Sequence, residues 1–259
     1  MSEYREVFKR TEIKYLLSED QFQELFSFLE TMAQVDEYGE TRINNIYFDT
    51  PDYSLVRTSL EKPLYKEKLR LRTYGRTDDD TNSFIEIKKK FDGIVYKRRV
   101  AGRYEDTYNY LVKDGEPIDD SQISREIEGF RMMYEGLRPA MTIAYDRVAM
   151  AGIDDPEFRV TFDRNIRWST DSLDLRKETD GKPIIEKGQR MMEIKVANAM
   201  PLPLARKLSE LQIFPASFSK YGRGYVDMIT TEETRKSFQA LGAEVERNIK
   251  TKKGVISYA

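Results

Sequence analysis

The sequence predicts an α+β fold in which eight antiparallel strands close a barrel, with helices packed outside and charge inside. Three observations carry that prediction. Tyr65–Tyr74 alternates strictly, so a strand there shows Lys66, Lys68, Arg70 and Arg72 on one face and Tyr65, Glu67, Leu69, Leu71 and Thr73 on the other. The same two-faced pattern recurs on at least five segments. Between two of them, Asp92-Gly93 is a hairpin turn signal that makes its flanking strands antiparallel. Eight strands suffice to close a barrel that holds side chains or one small ligand.

Residues 4–17 alternate as a strand, with Arg10, Glu12 and Lys14 opposite Ile13, Tyr15 and Leu17. Ser18-Glu-Asp-Gln21 is a capping box, and Phe22, Leu25, Phe26 and Leu29 follow at helical spacing. A second strand spans 41–49, and Pro51 opens a short helix or turn carrying Leu55 and Leu60. Tyr65–Tyr74 is the third strand. In the fourth, Phe84, Glu86, Lys88 and Lys90 oppose Ile85 and Ile87, and Ile94–Val100 pairs back as the fifth. Helices near 104–113 and 122–135 are separated by a loop at 114–121. Strands resume at 140–150, 157–168 and 184–196. A helix after Pro203 uses Leu204, Leu208 and Leu211, and a charged helix lies near 231–250. Neither a repeat nor a flexible linker divides the chain, so residues 1–259 are expected to form one domain.

On this reading apolar faces turn outward to the helices and charged faces turn inward. Four cations in a row, roughly 7 Å apart, repel by about 2 kcal/mol per adjacent pair at an effective dielectric near 20. Water dissipates that repulsion on an open surface, whereas an enclosed space needs a polyanion. A Glu-x-Lys pair such as Glu12/Lys14, Glu86/Lys88 or Glu193/Lys195 is, taken singly, ordinary decoration of a solvated sheet face. Recurrence shifts the balance, as do Arg147, beside Tyr145 on one strand face, and Arg159 later in the chain. Ser219 reads as a helix cap and Lys220 as a solvated charge, with a lid pair on phosphate as the alternative. Asp49 and Asp163 read as strand-end residues that hold turns, and Trp168 and the tyrosines as core.

Composition removes much chemistry. The chain has no cysteine, so disulfides and thiolate metal sites are excluded. It has no histidine, which excludes Ser-His and Cys-His nucleophiles, His-ligated zinc and phosphohistidine. Carboxylates, Lys, Arg, Ser and Tyr remain, with a hard oxygen-loving cation. A formal net charge of −2 argues against a general nucleic-acid binder. Neither a signal peptide nor a run long enough to span a membrane is apparent, and a cytoplasmic location is expected. The Walker and dinucleotide glycine motifs are missing, so side-chain cations would hold phosphate, arginine as a bidentate fork.

Eight short motifs, in order, resemble the VTC domain, the polyphosphate polymerase branch of the triphosphate tunnel metalloenzymes. They are Arg10-Thr-Glu-Ile-Lys-Tyr15, Tyr47-Phe-Asp-Thr50, Lys68-Leu-Arg-Leu-Arg72, Phe84-Ile-Glu-Ile-Lys88, Tyr145-Asp-Arg147, Arg159-Val-Thr-Phe-Asp163, Met192-Glu-Ile-Lys195 and Phe218-Ser-Lys-Tyr221. The resemblance implies an eight-stranded antiparallel tunnel and transfer of the ATP γ-phosphate to a growing polyphosphate chain with Mn²⁺ or Mg²⁺. It implies that Lys14, Arg70, Arg72, Lys88, Arg147, Arg159, Ser219 and Lys220 bind phosphates, with Lys14, Arg70, Arg72 and Lys220 at the chemistry. Lys68, Lys195 and Tyr145 are further phosphate candidates. Glu193 would hold the metal, with Glu12 and Glu86 as additional candidates. The related CYTH enzymes begin with Glu-x-Glu-x-Lys, and Arg10 replaces the first Glu here, which favours the polymerase branch and weakens a metal role for Glu12. The expected partners are ATP and inorganic polyphosphate or pyrophosphate, without nucleic acid or a membrane span. Two rivals stay open: a triphosphatase with water as acceptor, and a non-catalytic polyanion-binding module.

Overall fold

The computed structural model describes residues 11–92, 94–177, 180–197 and 199–233. Arg10 and most of the helix expected near 231–250 lie outside the described residues. The first strand, β1 (Thr11–Leu17), leads into α1 (Glu19–Leu29) through the expected capping box: Ser18 Oγ accepts from the Gln21 N–H, and the Gln21 side chain accepts from the Ser18 N–H. Next come β2 (Ala33–Asp49), α2 (Ser54–Leu60), β3 (Tyr65–Tyr74), β4 (Asn82–Phe91) and β5 (Ile94–Arg103). Helices α3 (Tyr104–Val112) and α4 (Gln122–Met133) precede β6 (Arg138–Gly152) and β7 (Arg159–Ser169). The two-residue β8 (Lys182–Pro183), β9 (Arg190–Val196), α5 (Leu202–Glu210) and a helix over 220–233, here α6, complete the described chain.

All pairings are antiparallel and run in the order β1-β9-β7-β6-β2-β3-β4-β5, with β8 attached to β7. The sheet therefore has nine strands, not eight. The ninth is the two-residue β8, just ahead of the segment expected as one strand over 184–196. Of that segment only Arg190–Val196 is strand, because Gly188, at φ +88°, and the Gln189 N–H bonded to the Glu186 carbonyl turn the chain before β9. Strand β2 begins eight residues before the expected start; Gly39 at φ +55° shifts its register against β6 and hides the alternation of that arm.

The ladder does not join β1 to β5 among the described residues, so hydrogen bonds do not close the sheet into the expected barrel. The sheet nevertheless curls until its two halves meet through side chains: Lys88 Nζ of β4 is 3.5 Å from a Glu12 carboxylate oxygen of β1. Residues 215–219 run along the free edge of β1. There Tyr15 bridges Pro215, and the Ala216 N–H donates to the Lys14 carbonyl. Proline has no N–H for a second ladder bond, which keeps this segment from becoming a strand.

Apolar faces do turn outward. Tyr15, Leu17, Val160, Phe162, Met192 and Ile194 bury against Phe22, Leu25 and Leu29 of α1 and Leu204 and Leu208 of α5. On the other half Ile46, Phe48, Leu69, Leu71, Ile85 and Ile87 bury against Tyr104, Tyr110, Leu111, Ile127 and Phe130 of α3 and α4. A third cluster departs from this plan: Tyr47, Met141, Ile143, Tyr145, Trp168, Tyr221 and Met228 make one end of the inner face apolar, and α6 lies on it.

That helix is seated by close approach and two side-chain bonds, one of them buried. Tyr221 stacks on Tyr47 at 4.7 Å and donates to Asp49 Oδ2 at 2.8 Å, while Trp168 Nε1 donates to Asp227 Oδ2 at 2.7 Å. Asp49 also accepts the Leu55 and Val56 N–H groups, so it holds the start of α2 as the sequence suggested. A Cβ on Gly224 would stand 2.7 Å from Met141 Sδ and 3.1 Å from Trp168 Cβ. Gly224→Val should therefore cost about 1–3 kcal/mol by overpacking, read as a lower Tm in thermal melts.

Candidate functional site

Strand parity puts the charged residues on the concave side of the sheet. From β3 come Lys66, Lys68, Arg70 and Arg72; from β4, Glu86 and Lys88; from β5, Lys97 and Arg99, which register opposite Lys88 and Glu86. The other half supplies Glu12 and Lys14 of β1, Glu193 and Lys195 of β9, Thr161 and Asp163 of β7, and Tyr145 and Arg147 of β6. The sheet pairing makes these neighbours across strands: Lys14 lies opposite Glu193, Glu12 opposite Lys195, and Arg147 opposite Asp163.

Buried carboxylates organise the cations into groups. Glu86 is 1% exposed and ion-paired to Arg70 at 2.6 Å and Lys97 at 2.5 Å, with Arg72 at 3.9 Å. Burial alone would raise its carboxyl, but these three cations outweigh it and bring it down to about 2. Glu86, a metal candidate on sequence grounds, is thus enclosed by cations and acts as their counter-charge. Asp163 is 0% exposed and sits mid-strand rather than at a strand end. It accepts both Nε and an Nη of Arg147, at 2.6 and 2.8 Å, and lies 2.5 Å from Lys220 Nζ. Lys220 also stands 4.5 Å above the Tyr145 ring. It is not the solvated charge the sequence allowed, because α6 carries it inward to the opposite wall.

Two phenols complete the arginine platform. Arg70 donates to the Tyr47 hydroxyl at 3.1 Å; Arg72 donates to Asn45 Oδ1 at 2.9 Å and to the Tyr145 hydroxyl at 3.1 Å. These bonds fix both guanidinium planes. Ser219 caps α6 by accepting the Gly222 N–H, and it also accepts from Lys68 Nζ at 3.1 Å. Cap and site contact, which the sequence offered as alternatives, coexist on one hydroxyl.

The Glu193 neighbourhood differs from the other two. Its carboxylate is 3.0 Å from Lys195 and 3.9 Å from Lys14, and Lys14 is also 3.4 Å from Glu12. Burial opposes ionisation there, yet Lys195, Lys14 and Arg147 hold Glu193 well below the usual carboxylate range. Beside it, Thr161 Oγ1 is a buried hydroxyl with no hydrogen-bond partner. Among the described residues no cluster of three or more Asp and Glu side chains could cage a metal. A cation of the magnesium type does not need one, since it binds through one or two carboxylates with the rest supplied by water and substrate phosphate. Glu193, with Glu12 across the Lys14 ammonium, fits that requirement.

The structure brings Lys14, Lys68, Arg70, Arg72, Lys88, Tyr145, Arg147, Lys195, Ser219 and Lys220 onto this one surface. Arg159 shares the face by parity but is exposed at its rim, opposite Lys195. Sequence reasoning missed Lys97, Tyr47, Asn45 and the buried role of Asp163. For Lys97 and Arg99 the signal was available: the Asp92-Gly93 hairpin sets the register that places them beside Lys88 and Glu86. Nothing local marks Asp163, because its importance depends on α6 folding back.

Crowded cations leave a titration signature. Burial lowers the Lys68 ammonium to about 8, and Lys14, Lys66 and Lys88 push the same way. Burial would raise the Tyr47 phenol, but Arg70, Lys68 and Arg72 outweigh it and bring it down to about 8. In the unfolded chain these groups titrate near 10.5 and 10.0, so between those limits the unfolded state holds more protons. Stability of the free protein should therefore rise as pH climbs from about 8 to about 10, and Lys68→Met should flatten that rise in thermal melts.

The VTC domain family model matches residues 9–229. Subunit 4 of the vacuolar transporter chaperone complex of Schizosaccharomyces pombe is 24% identical over 149 residues, which is 49% of this chain and 20% of that protein. The chain thus spans well under half the length of this curated relative. Among solved structures, a Hippeastrum adenylyl cyclase candidate with a dominant triphosphatase activity superposes with a TM-score of 0.51 at 15% identity, covering 83% of this chain and 95% of the other. An adenylate cyclase candidate from Bacillus halodurans gives a TM-score of 0.49 at 14% identity, covering 82% and 95%. The Hippeastrum likeness concerns the fold alone. With the family model spanning most of the sequence, the chain belongs to the VTC domain family.

Proposed function

We propose that this chain is a cytoplasmic, metal-dependent phosphotransferase that moves the terminal phosphate of ATP onto a growing inorganic polyphosphate chain. The observation that carries this reading is the concave face itself. Cations from six strands and α6 face one space, and among the described residues Glu12, Glu86, Asp163 and Glu193 are the carboxylates set against them. A chain of phosphates supplies the missing negative charge.

The residues divide by position. Arg70 and Arg72, held flat by Glu86, Tyr47, Asn45 and Tyr145, present forks to nonbridging phosphate oxygens. Lys68 and Ser219 face them, and Lys220 with Arg147 approaches from the other wall. Phosphoryl transfer needs positioning and neutralisation of charge more than covalent help from the protein. With no histidine or cysteine in the chain, direct transfer between phosphates is the simplest course. Glu193, with Glu12, would hold Mn²⁺ or Mg²⁺, which when bound supplies further neutralisation of the triphosphate oxygens.

The test is to incubate the full chain with ATP and Mn²⁺ and to resolve the product on a gel. Long-chain polyphosphate supports the polymerase reading, and its absence overturns it. The likeness to a triphosphatase of the same fold favours one second reading, hydrolysis of inorganic triphosphate on the same cations. Release of orthophosphate from triphosphate without polymer would select it.

A further inference from the structure

One exposed surface lies at the end of the sheet, beyond the phosphate and metal candidates. Tyr65, Phe91 and Ile94 sit side by side where β3, β4 and β5 meet at one end of the sheet. Leu64 joins them, its carbonyl accepting the Asp92 N–H at 3.0 Å, and Val95 and Tyr96 continue along β5. Exposure is high for apolar side chains: Leu64 64%, Phe91 50%, Tyr96 47%, Val95 41% and Ile94 36%. The helices that cover the outer face elsewhere do not reach this end. Phe91, Ile94 and Tyr96 point to the outer face and Val95 to the inner one, so the tip is apolar on both sides. Behind it stand the exposed cations Lys62 and Lys90, with Arg98 further along β5. The opposing charges are exposed Glu61 and Asp92 at the tip, and Glu126, which is 3.9 Å from Arg98.

We propose that this tip docks on the surface of an anionic lipid bilayer. Apolar and aromatic side chains at a point, backed by lysines, match the boundary between acyl chains and negatively charged headgroups. Two other occupants fit less well. A second copy paired edge to edge through β5 would set Lys97-Arg98-Arg99 against itself. A peptide strand added to that edge would run along β5 and leave the apolar end of the tip bare. The inference is independent of phosphoryl transfer: Lys90 and Val95 share the inner face by parity, but no tip residue is one of the phosphate or metal candidates.

The test is flotation of the full chain with phosphatidylcholine vesicles and with vesicles of phosphatidylcholine mixed with phosphatidylserine. Retention is expected on the mixed vesicles alone, weakening as salt rises. Ile94→Asp with Val95→Asp should lower partitioning by about tenfold or more without changing the Tm, since both side chains are already exposed. Lys62→Glu with Lys90→Glu should also lower it. In Ile94→Trp the new emission should shift to the blue on mixed vesicles; native Trp168, buried and bonded to Asp227, gives a constant background. No retention on mixed vesicles, or retention that the aspartate pair leaves unchanged, overturns the proposal. So does capture of a protein partner by the tip without vesicle binding.

Discussion

Replacing Arg70 and Arg72 together by alanine should reduce phosphoryl transfer by about a thousandfold or more, because each removes a preorganised donor aimed at phosphate. The two guanidiniums occupy adjacent same-face positions of β3, and their hydrogen bonds to Tyr47, Asn45 and Tyr145 hold them in place before any ligand arrives. The double substitution has a second effect. Glu86 would keep Lys97 as its near ion-pair partner, and a buried carboxylate stripped of most of its counter-charge costs about 3–5 kcal/mol. The control is Arg70→Lys with Arg72→Lys, in which the charges stay while the forks go. Activity lost in that variant at near-native Tm assigns the effect to bidentate recognition. Full activity in it would mean that positive charge alone suffices.

Glu193→Gln should cut turnover by about a hundredfold or more while leaving triphosphate binding intact or tighter. The sign follows from the charges. Glu193 competes with incoming phosphate for Lys195 and Lys14, so its neutralisation frees both. Loss of one carboxylate also raises the concentration of Mn²⁺ needed for half-maximal rate. Turnover therefore falls while binding does not, a split that a purely structural role for Glu193 would not produce. A binding module without chemistry has no turnover to lose, and steady-state kinetics beside a binding titration separates the cases.

Much of this was legible in the sequence because a strand has a period of two. Once Tyr65–Tyr74 is read as a strand, Lys68, Arg70 and Arg72 must share a face, whatever the rest of the chain does. The capping box at Ser18–Gln21 is local too, and it forms as read. What stayed hidden depends on distant packing. Asp163 looks like a strand-end residue until α6 folds back and lays Lys220 against it, 57 positions later in the chain. The open seam between β1 and β5 was hidden for a related reason. Closure depends on which backbone edges approach, and an alternation pattern describes faces rather than edges. The turn at Gly188 escaped notice because the clean alternation over 191–196 was extended back across 184–189, which does not alternate and holds the turn.

Cations on separate strands surround one space, and a phosphate chain within it would relieve their mutual repulsion. Calorimetric titration of tripolyphosphate into the full chain tests that claim most directly. One tight site per chain is expected, with affinity that survives moderate salt and collapses in Arg70→Ala with Arg72→Ala. Many weak sites that salt abolishes, unaltered by that double substitution, would contradict it.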